Sequence, residues 1–168
     1  MNNINIPPRG FPVKEFEERL IRAQKIMQNH EFDGILITSP QNIRYFTGYD
    51  SQFWESPTRP WFVVVPATGK PIGIVPEIGE SEFKKTWLDE IKSWPSPKPE
   101  DEGISLVKST LENLPKTYGQ IGAELGKEMA IRMPVKDLLK LKETVKTNIV
   151  DGSDAIWDMR MVKTNAEI

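Results

Sequence analysis

Trp61-Phe62-Val63-Val64-Val65 and Ile72-Gly73-Ile74-Val75 are apolar at successive positions, not at alternate ones. A strand with one wet face alternates, whereas a strand that is apolar on both sides needs cover on both faces. Pro66-Ala67-Thr68-Gly69-Lys70-Pro71 joins the two runs, and Gly69 can take a positive-φ turn position, so they predict a hairpin. Helices must cover that hairpin from both sides, which places the chain in the α/β class.

The flanking sequence supplies such elements. Pro12 suits the first turn of a helix, and Val13, Phe16, Leu20, Ala23 and Met27 follow at three- and four-residue steps on one face. Ile35-Leu36-Ile37-Thr38 predicts a strand. Pro40 to Tyr45 predicts a short helix ended by Gly48. Pro76 to Leu88 reads as helical, with Ile78, Phe83 and Trp87 inward, and Ile91 to Trp94 as a strand. Pro95-Ser96-Pro97-Lys98-Pro99 must be extended. Asp101 to Leu114 is a second long helix that buries Ile104, Val107, Leu111 and Leu114. Gln120 to Leu125 and Thr147 to Val150 are strands around a helix over Pro134 to Val145, carried by Val135, Leu138, Leu139 and Leu141. Asp151 or Ser153 caps a final helix with Ile156, Trp157 and Met161. The expected sheet is mixed and mostly covered.

Residue usage excludes several chemistries. There is no cysteine, so disulfides, thiolate catalysis and Cys-bearing zinc sites are ruled out. The 22 Lys plus Arg nearly balance the 24 Asp plus Glu. A phosphate-backbone binder carries a basic excess, so no nucleic-acid partner is expected. No window approaches the roughly 18 apolar residues of a membrane span, and the first ten residues lack the pattern of a signal peptide. Residence in the cytoplasm is the expectation. His30 is the only histidine and reads as a solvent-facing helix end; a triad would have to use it, and no Gly-x-Ser-x-Gly elbow exists. Glu77, Glu80 and Glu82 fit the acidic first turn of a helix. Gly119, Gly122 and Gly126 do not form a phosphate loop and mark turns and close approach at a strand. Lys136, Lys140, Lys142 and Lys146 form a solvated helix face.

One stretch stands apart. From Tyr49 to Trp61 the chain places Tyr49, Phe53, Trp54, Arg59 and Trp61 in a loop punctuated by Pro57 and Pro60. Trp and Arg outside regular structure offer large contact area, and Trp faces can hold a cation. These five are the candidate substrate-contact or interface residues; the competing reading is that Phe53, Trp54 and Trp61 plug the sheet's edge. No catalytic residue is assigned. At the other end, Thr164 and Glu167 have the Thr-x-x-Glu spacing of a capping box. There the Thr hydroxyl serves the N3 amide and the Glu reaches back to the cap N–H. A cap implies a following helix, so the chemistry is expected beyond Ile168.

Ile35-Leu36-Ile37-Thr38 followed by Asn42-Ile43-Arg44-Tyr45-Phe46-Thr47-Gly48-Tyr49 resembles the strand and N-x-x-Y-x-T-G-F/Y signature of creatinase/prolidase-type proteins. The similarity continues through the Trp61–Val75 hairpin and Ile121-Gly122-Ala123-Glu124. It ends at Arg160-Met161-Val162-Lys163-Thr164-Asn165-Ala166-Glu167-Ile168, which looks like the family's R-x-I/V-K-S/T-x-x-E-I/L lead into its catalytic domain. The resemblance implies a ribonuclease-H-like three-layer α/β/α domain with a mixed sheet of about five to six strands over residues 1–162. Residues 163–168 would then begin a pita-bread catalytic domain. It implies a divalent metal pair (Mn, Zn, Co or Fe) held by Asp, Asp, His, Glu and Glu of that second domain, and no cofactor in this chain. Its partners would be that catalytic domain, a second copy in a homodimer, and a peptide or small-molecule substrate. The parent would be an Xaa-Pro aminopeptidase or dipeptidase, a creatinase-like hydrolase, or a member acting on a compatible solute, of ectoine hydrolase or dimethylsulfoniopropionate lyase type. A free-standing α/β ligand-binding module is the rival.

Overall fold

The computed structural model describes residues 10–55 and 59–168. Its elements run α1 (Val13–Asn29), β1 (Gly34–Ile37), α2 (Pro40–Thr47), a 3-10 turn (Gln52–Glu55), β2 (Phe62–Pro66), β3 (Ile72–Pro76), α3 (Glu77–Phe83), β4 (Glu90–Trp94), α4 (Ile104–Glu112), β5 (Gln120–Ala123), α5 (Val135–Thr144), β6 (Asn148–Asp151) and α6 (Ser153–Met161). The strands make one sheet in the order β4-β3-β2-β1-β5-β6. β2 is antiparallel to β1 and β3, while β3–β4, β1–β5 and β5–β6 are parallel. The hairpin is present, with Gly69 at φ 90°.

Why the two central runs are apolar throughout is now plain. Ile35, Ile37, Val63, Val65 and Val75 point into one core with Leu20, Ala23 and Met27 of α1, Phe46 of α2 and Ile156 of α6. Leu36, Phe62, Val64 and Ile74 point into a second core with Val107 and Leu111 of α4 and Leu141 of α5. Alternate side chains serve opposite layers. Each fully buried Val, Ile or Phe of this kind contributes about 1.5–3 kcal/mol. α1 packs against α2 and α6, tying the first helix to the last.

Local signals hold at α2, where Ser39 is the N-cap, Pro40 opens the helix and Gly48 closes it at φ 73°. They fail on several helix faces. Val13 is exposed on α1, and Glu15 and Arg19 are buried in its place. Ile78 on α3 and Val135 and Leu139 on α5 face solvent, where an inward position was expected, and Trp157 and Met161 on α6 are exposed as well. α5 therefore rests on Leu141 as its one buried residue. α3 stops at Phe83, well before Leu88. α6 has Gly152 as its N-cap with no side-chain cap; Asp151 instead accepts from the Ser153 amide at 3.0 Å, one residue outside the cap.

Candidate functional site

The loop between α2 and β2 emerges at the end of the sheet where β1, β3, β4, β5 and β6 all finish. In open α/β sheets that is the end where ligands bind. Four of its five candidate residues form one aromatic group. The Tyr49 ring stacks on Trp61 at 5.3 Å between centroids and meets Trp54 edge-on at 5.4 Å. Trp54 meets Trp61 at 5.4 Å, and Phe53 stacks on the outer side of Trp61 at 6.4 Å. Phe83 closes the group from α3, 4.6 Å from Tyr49.

Burial divides this group in two. Tyr49 and Trp61 are 2% and 4% exposed and belong to the core, while Phe53 is 40% exposed and Trp54 only partly covered. The first pair packs into the core, as the plugging reading had it for Trp61, and the second pair is left partly exposed. Gly79 is what lets Trp61 lie there, since a Cβ at Gly79 would sit 1.9 Å from the indole. Arg59 lines a recess with Phe53, Trp61, Pro76 and Ile78, and its charge also acts on Glu102. Ser56, Pro57 and Thr58 lie outside the described residues.

Polar contacts hold the loop's start. The Trp54 indole donates to Asp50 at 3.3 Å, and Asp50 pairs with Arg44 at 3.1 Å. Arg132 donates from its guanidinium to the Trp54 carbonyl at 2.7 Å and from its amide to Thr38 Oγ1 at 2.8 Å. Nothing in the sequence around Arg132 pointed to this role, because its partner lies 78 residues away.

The recess between Phe53, Arg59 and Trp61 holds about 30 Å³, an order of magnitude below the roughly 300 Å³ at which small-molecule pockets begin. Larger hollows lie elsewhere. One of about 280 Å³ lies beside Phe11, Phe16, Arg44 and Asp50, and one of about 290 Å³ at the β2–β3 turn. Their charged groups are paired: Arg44 with Asp50, and Lys70 with Asp89 at 2.9 Å. The aromatic group is the better candidate, as a surface and not as a pocket.

The other singled-out residues have structural work. His30 caps α1, is half-buried, and lies 3.2 Å from the Asp158 carboxylate of α6. Glu80 pairs with Lys84 and accepts from Ser93 at 2.6 Å, and these bonds hold its carboxyl below the usual range; Glu82 pairs with Lys85. Gly119 has φ 71°, and a Cβ at Gly122 would sit 2.8 Å from Phe32. Lys136, Lys140, Lys142 and Lys146 are exposed. Among the described residues no group of three or more acidic or His side chains could hold a metal ion. Nor is any described helix long and apolar enough to cross a membrane.

The signature residues build the scaffold beneath the loop. Asn42 donates to Glu124 at 2.6 Å and accepts from Arg160 at 2.8 Å. The Tyr45 hydroxyl donates to the Met159 carbonyl at 2.9 Å and accepts from Arg22 at 2.6 Å. Burial raises the Tyr45 pKa, against the pull of Arg22. Thr47 Oγ1 accepts the Tyr49 amide at 3.0 Å, directing the chain into the loop.

Comparison with known proteins follows the same lines. Residues 19–162 match the Creatinase/Prolidase N-terminal domain. Over 166 residues the chain is 24% identical to an uncharacterized hydrolase/peptidase of Sinorhizobium fredii, y4tM, covering 94% of this chain and 41% of the relative. Among solved structures it resembles the dipeptidase PepE of Mycobacterium ulcerans, with a TM-score of 0.69 and 23% identity over 94% of this chain and 39% of that one. A prolidase of Thermococcus sibiricus gives 0.66 and 23%, over 89% of this chain and 38% of that one. The Creatine_N superfamily domain of a Streptococcus thermophilus dipeptidase gives 0.64 and 17%, over 84% of this chain and 98% of that domain. The chain thus spans less than half the length of the curated relative.

Proposed function

Since the chain belongs to the creatinase/prolidase N-terminal domain family, we propose that it serves as the non-catalytic domain of a longer metal-dependent hydrolase of Xaa-Pro peptidase type. Its duty there is to shape the active site of a neighbouring catalytic domain and the dimer. The observation that carries this is the half-buried aromatic group. Tyr49 and Trp61 are locked into the core, and the ring they support, Phe53, is left 40% exposed beside a recess of about 30 Å³. A rigid apolar surface too shallow to enclose a ligand is complete only when a second surface closes on it. Such closure would exclude water and orient a substrate without supplying a metal ligand. The metal pair belongs to the catalytic domain in this reading, and the protein works in the cytoplasm.

The test is the activity of the full genomic-length protein, supplied with divalent metal, on Xaa-Pro dipeptides and on small compatible solutes. Dipeptide turnover is expected from that protein and none from residues 1–168 alone. Trp54→Ala and Arg59→Ala should lower kcat/KM about tenfold or more, as loss of substrate positioning does, with the fold intact by circular dichroism. Turnover of a compatible solute in place of the dipeptide would move the substrate class to the ectoine hydrolase or dimethylsulfoniopropionate lyase type. Turnover by the 168-residue chain, or unchanged kinetics in both variants, would overturn the proposal.

A further inference from the structure

Arg19 is the least expected residue in the core. Helical spacing puts it beside Phe16 and Leu20 on the covered face of α1, and its side chain is 2% exposed. The guanidinium lies between two rings, 4.4 Å from the centre of Phe11 and 4.5 Å from that of Tyr45. Its Nε donates to Glu15 at 3.0 Å and one Nη to the Tyr45 carbonyl at 2.9 Å. The other Nη has no hydrogen-bond partner among the described residues and faces Glu167 at 3.5 Å as an ion pair.

Glu15 and Glu167 close a ring with Thr164. The Thr164 hydroxyl donates to Glu15 at 2.7 Å, while Glu167 accepts the Thr164 amide at 2.9 Å. The Glu half of the capping box is therefore formed. The hydroxyl half is not: the Glu167 amide donates to the Thr164 carbonyl at 3.0 Å, and the Thr164 hydroxyl donates to Glu15 of α1 across 149 residues of sequence.

Burying such charges costs several kcal/mol per ion, and an apolar set of equal volume is often as stabilising or more so. What the ionic set adds is direction, since a guanidinium fork donates to carboxylates in its own plane. We propose that Arg19 is a positioning residue. With Glu15 it clasps the Thr164–Glu167 turn and fixes the direction in which the chain leaves the domain. The inference rests on the two-domain reading, in which this turn is the joint. Its test uses the 168-residue chain alone, so that either can fail without the other.

The chain has no cysteine, so paired spin labels can be placed at Ala166→Cys and Lys140→Cys, both exposed positions. Pulsed electron-spin distance measurement should give one narrow distribution. Glu167→Gln, Thr164→Val and Arg19→Lys should each broaden it about twofold or more, as a locally opened segment does. A control pair at Glu17→Cys and Lys140→Cys should stay narrow in every variant. Arg19 lies in the core; should Arg19→Lys not fold, the two variants at the turn decide. A broad distribution in the unsubstituted chain, unchanged widths in Glu167→Gln and Thr164→Val, or equal broadening of the control pair would overturn the proposal.

Discussion

Glu124 holds five donors on two buried oxygens: the amides of Thr38 and Ser39, both their hydroxyls, and the Asn42 side chain. Its position follows from β5, which ends one residue earlier beside β1. The bonds fix the first turn of α2 and so the base of the aromatic loop. A glutamine there would turn two N–H groups toward donors that already fill the site. Glu124→Gln is expected to cost about 2–4 kcal/mol, the range for breaking a buried charge-assisted network, read as a lowered urea midpoint. At the opposite end of β1, Asp33 accepts three successive amides, from Thr117 at 2.8 Å, Tyr118 at 2.9 Å and Gly119 at 2.7 Å. A parallel strand pair has no tight turn to set its register, and these two carboxylates pin both ends of it. Neither was legible in the sequence. Each reads as an ordinary polar residue at a strand end, and its partners lie more than eighty residues away.

Among the elements, α4 shows how a helix start without a capping side chain is held. Its N-cap is Gly103 at φ 84°, which has no side chain to give. Asp101 takes over, accepting the Ser105 amide at 2.9 Å and the Ser105 hydroxyl. Glu102 faces back and accepts from the Trp94 indole at 2.8 Å, the Lys98 amide at 2.8 Å and Ser96 at 3.0 Å. Burial alone would raise both pKa values; the bonds from Ser105 at Asp101, and from Trp94, Lys98 and Ser96 at Glu102, outweigh it and hold both below the usual carboxylate range. The unfolded chain then binds the first protons as pH falls. Stability from this pair is present above the ordinary carboxylate pKa of about 4 and is lost as pH drops through the folded values. Urea midpoints should therefore fall below about pH 4, and fall less in Glu102→Gln. The order and type of these elements were legible, since Gly, Pro and apolar periodicity are local signals. Their faces were legible only where the stripe was dense: Ile104, Val107 and Leu111 are buried as expected, while Val135 and Leu139 are not. Periodicity names an apolar face but does not say whether another layer reaches it.

For the molecule as a whole, the sheet is the shared wall of two cores. Neither layer of helices can leave without exposing side chains from the same four-to-five-residue strands. Unfolding should therefore be one transition. Urea curves from tryptophan fluorescence, which samples Trp61 on one face and Trp94 on the other, should coincide with those from far-ultraviolet circular dichroism. Separate midpoints would mean that one layer comes away before the other. The three-layer architecture was legible because unbroken apolar strands demand it. The division of the aromatic loop into anchors and presented rings was not, since it depends on where α3 runs and on Gly79 leaving room for Trp61. The seating of α1 against α6 carries a consequence for the newborn polypeptide. Translation at roughly 5–20 residues per second releases the first helix on the order of ten seconds before the last. Throughout that interval the core around Leu20, Ala23 and Met27 lacks the cover of Ala155, Ile156 and Met159 from α6, so the domain closes only after nearly all of it has left the ribosome.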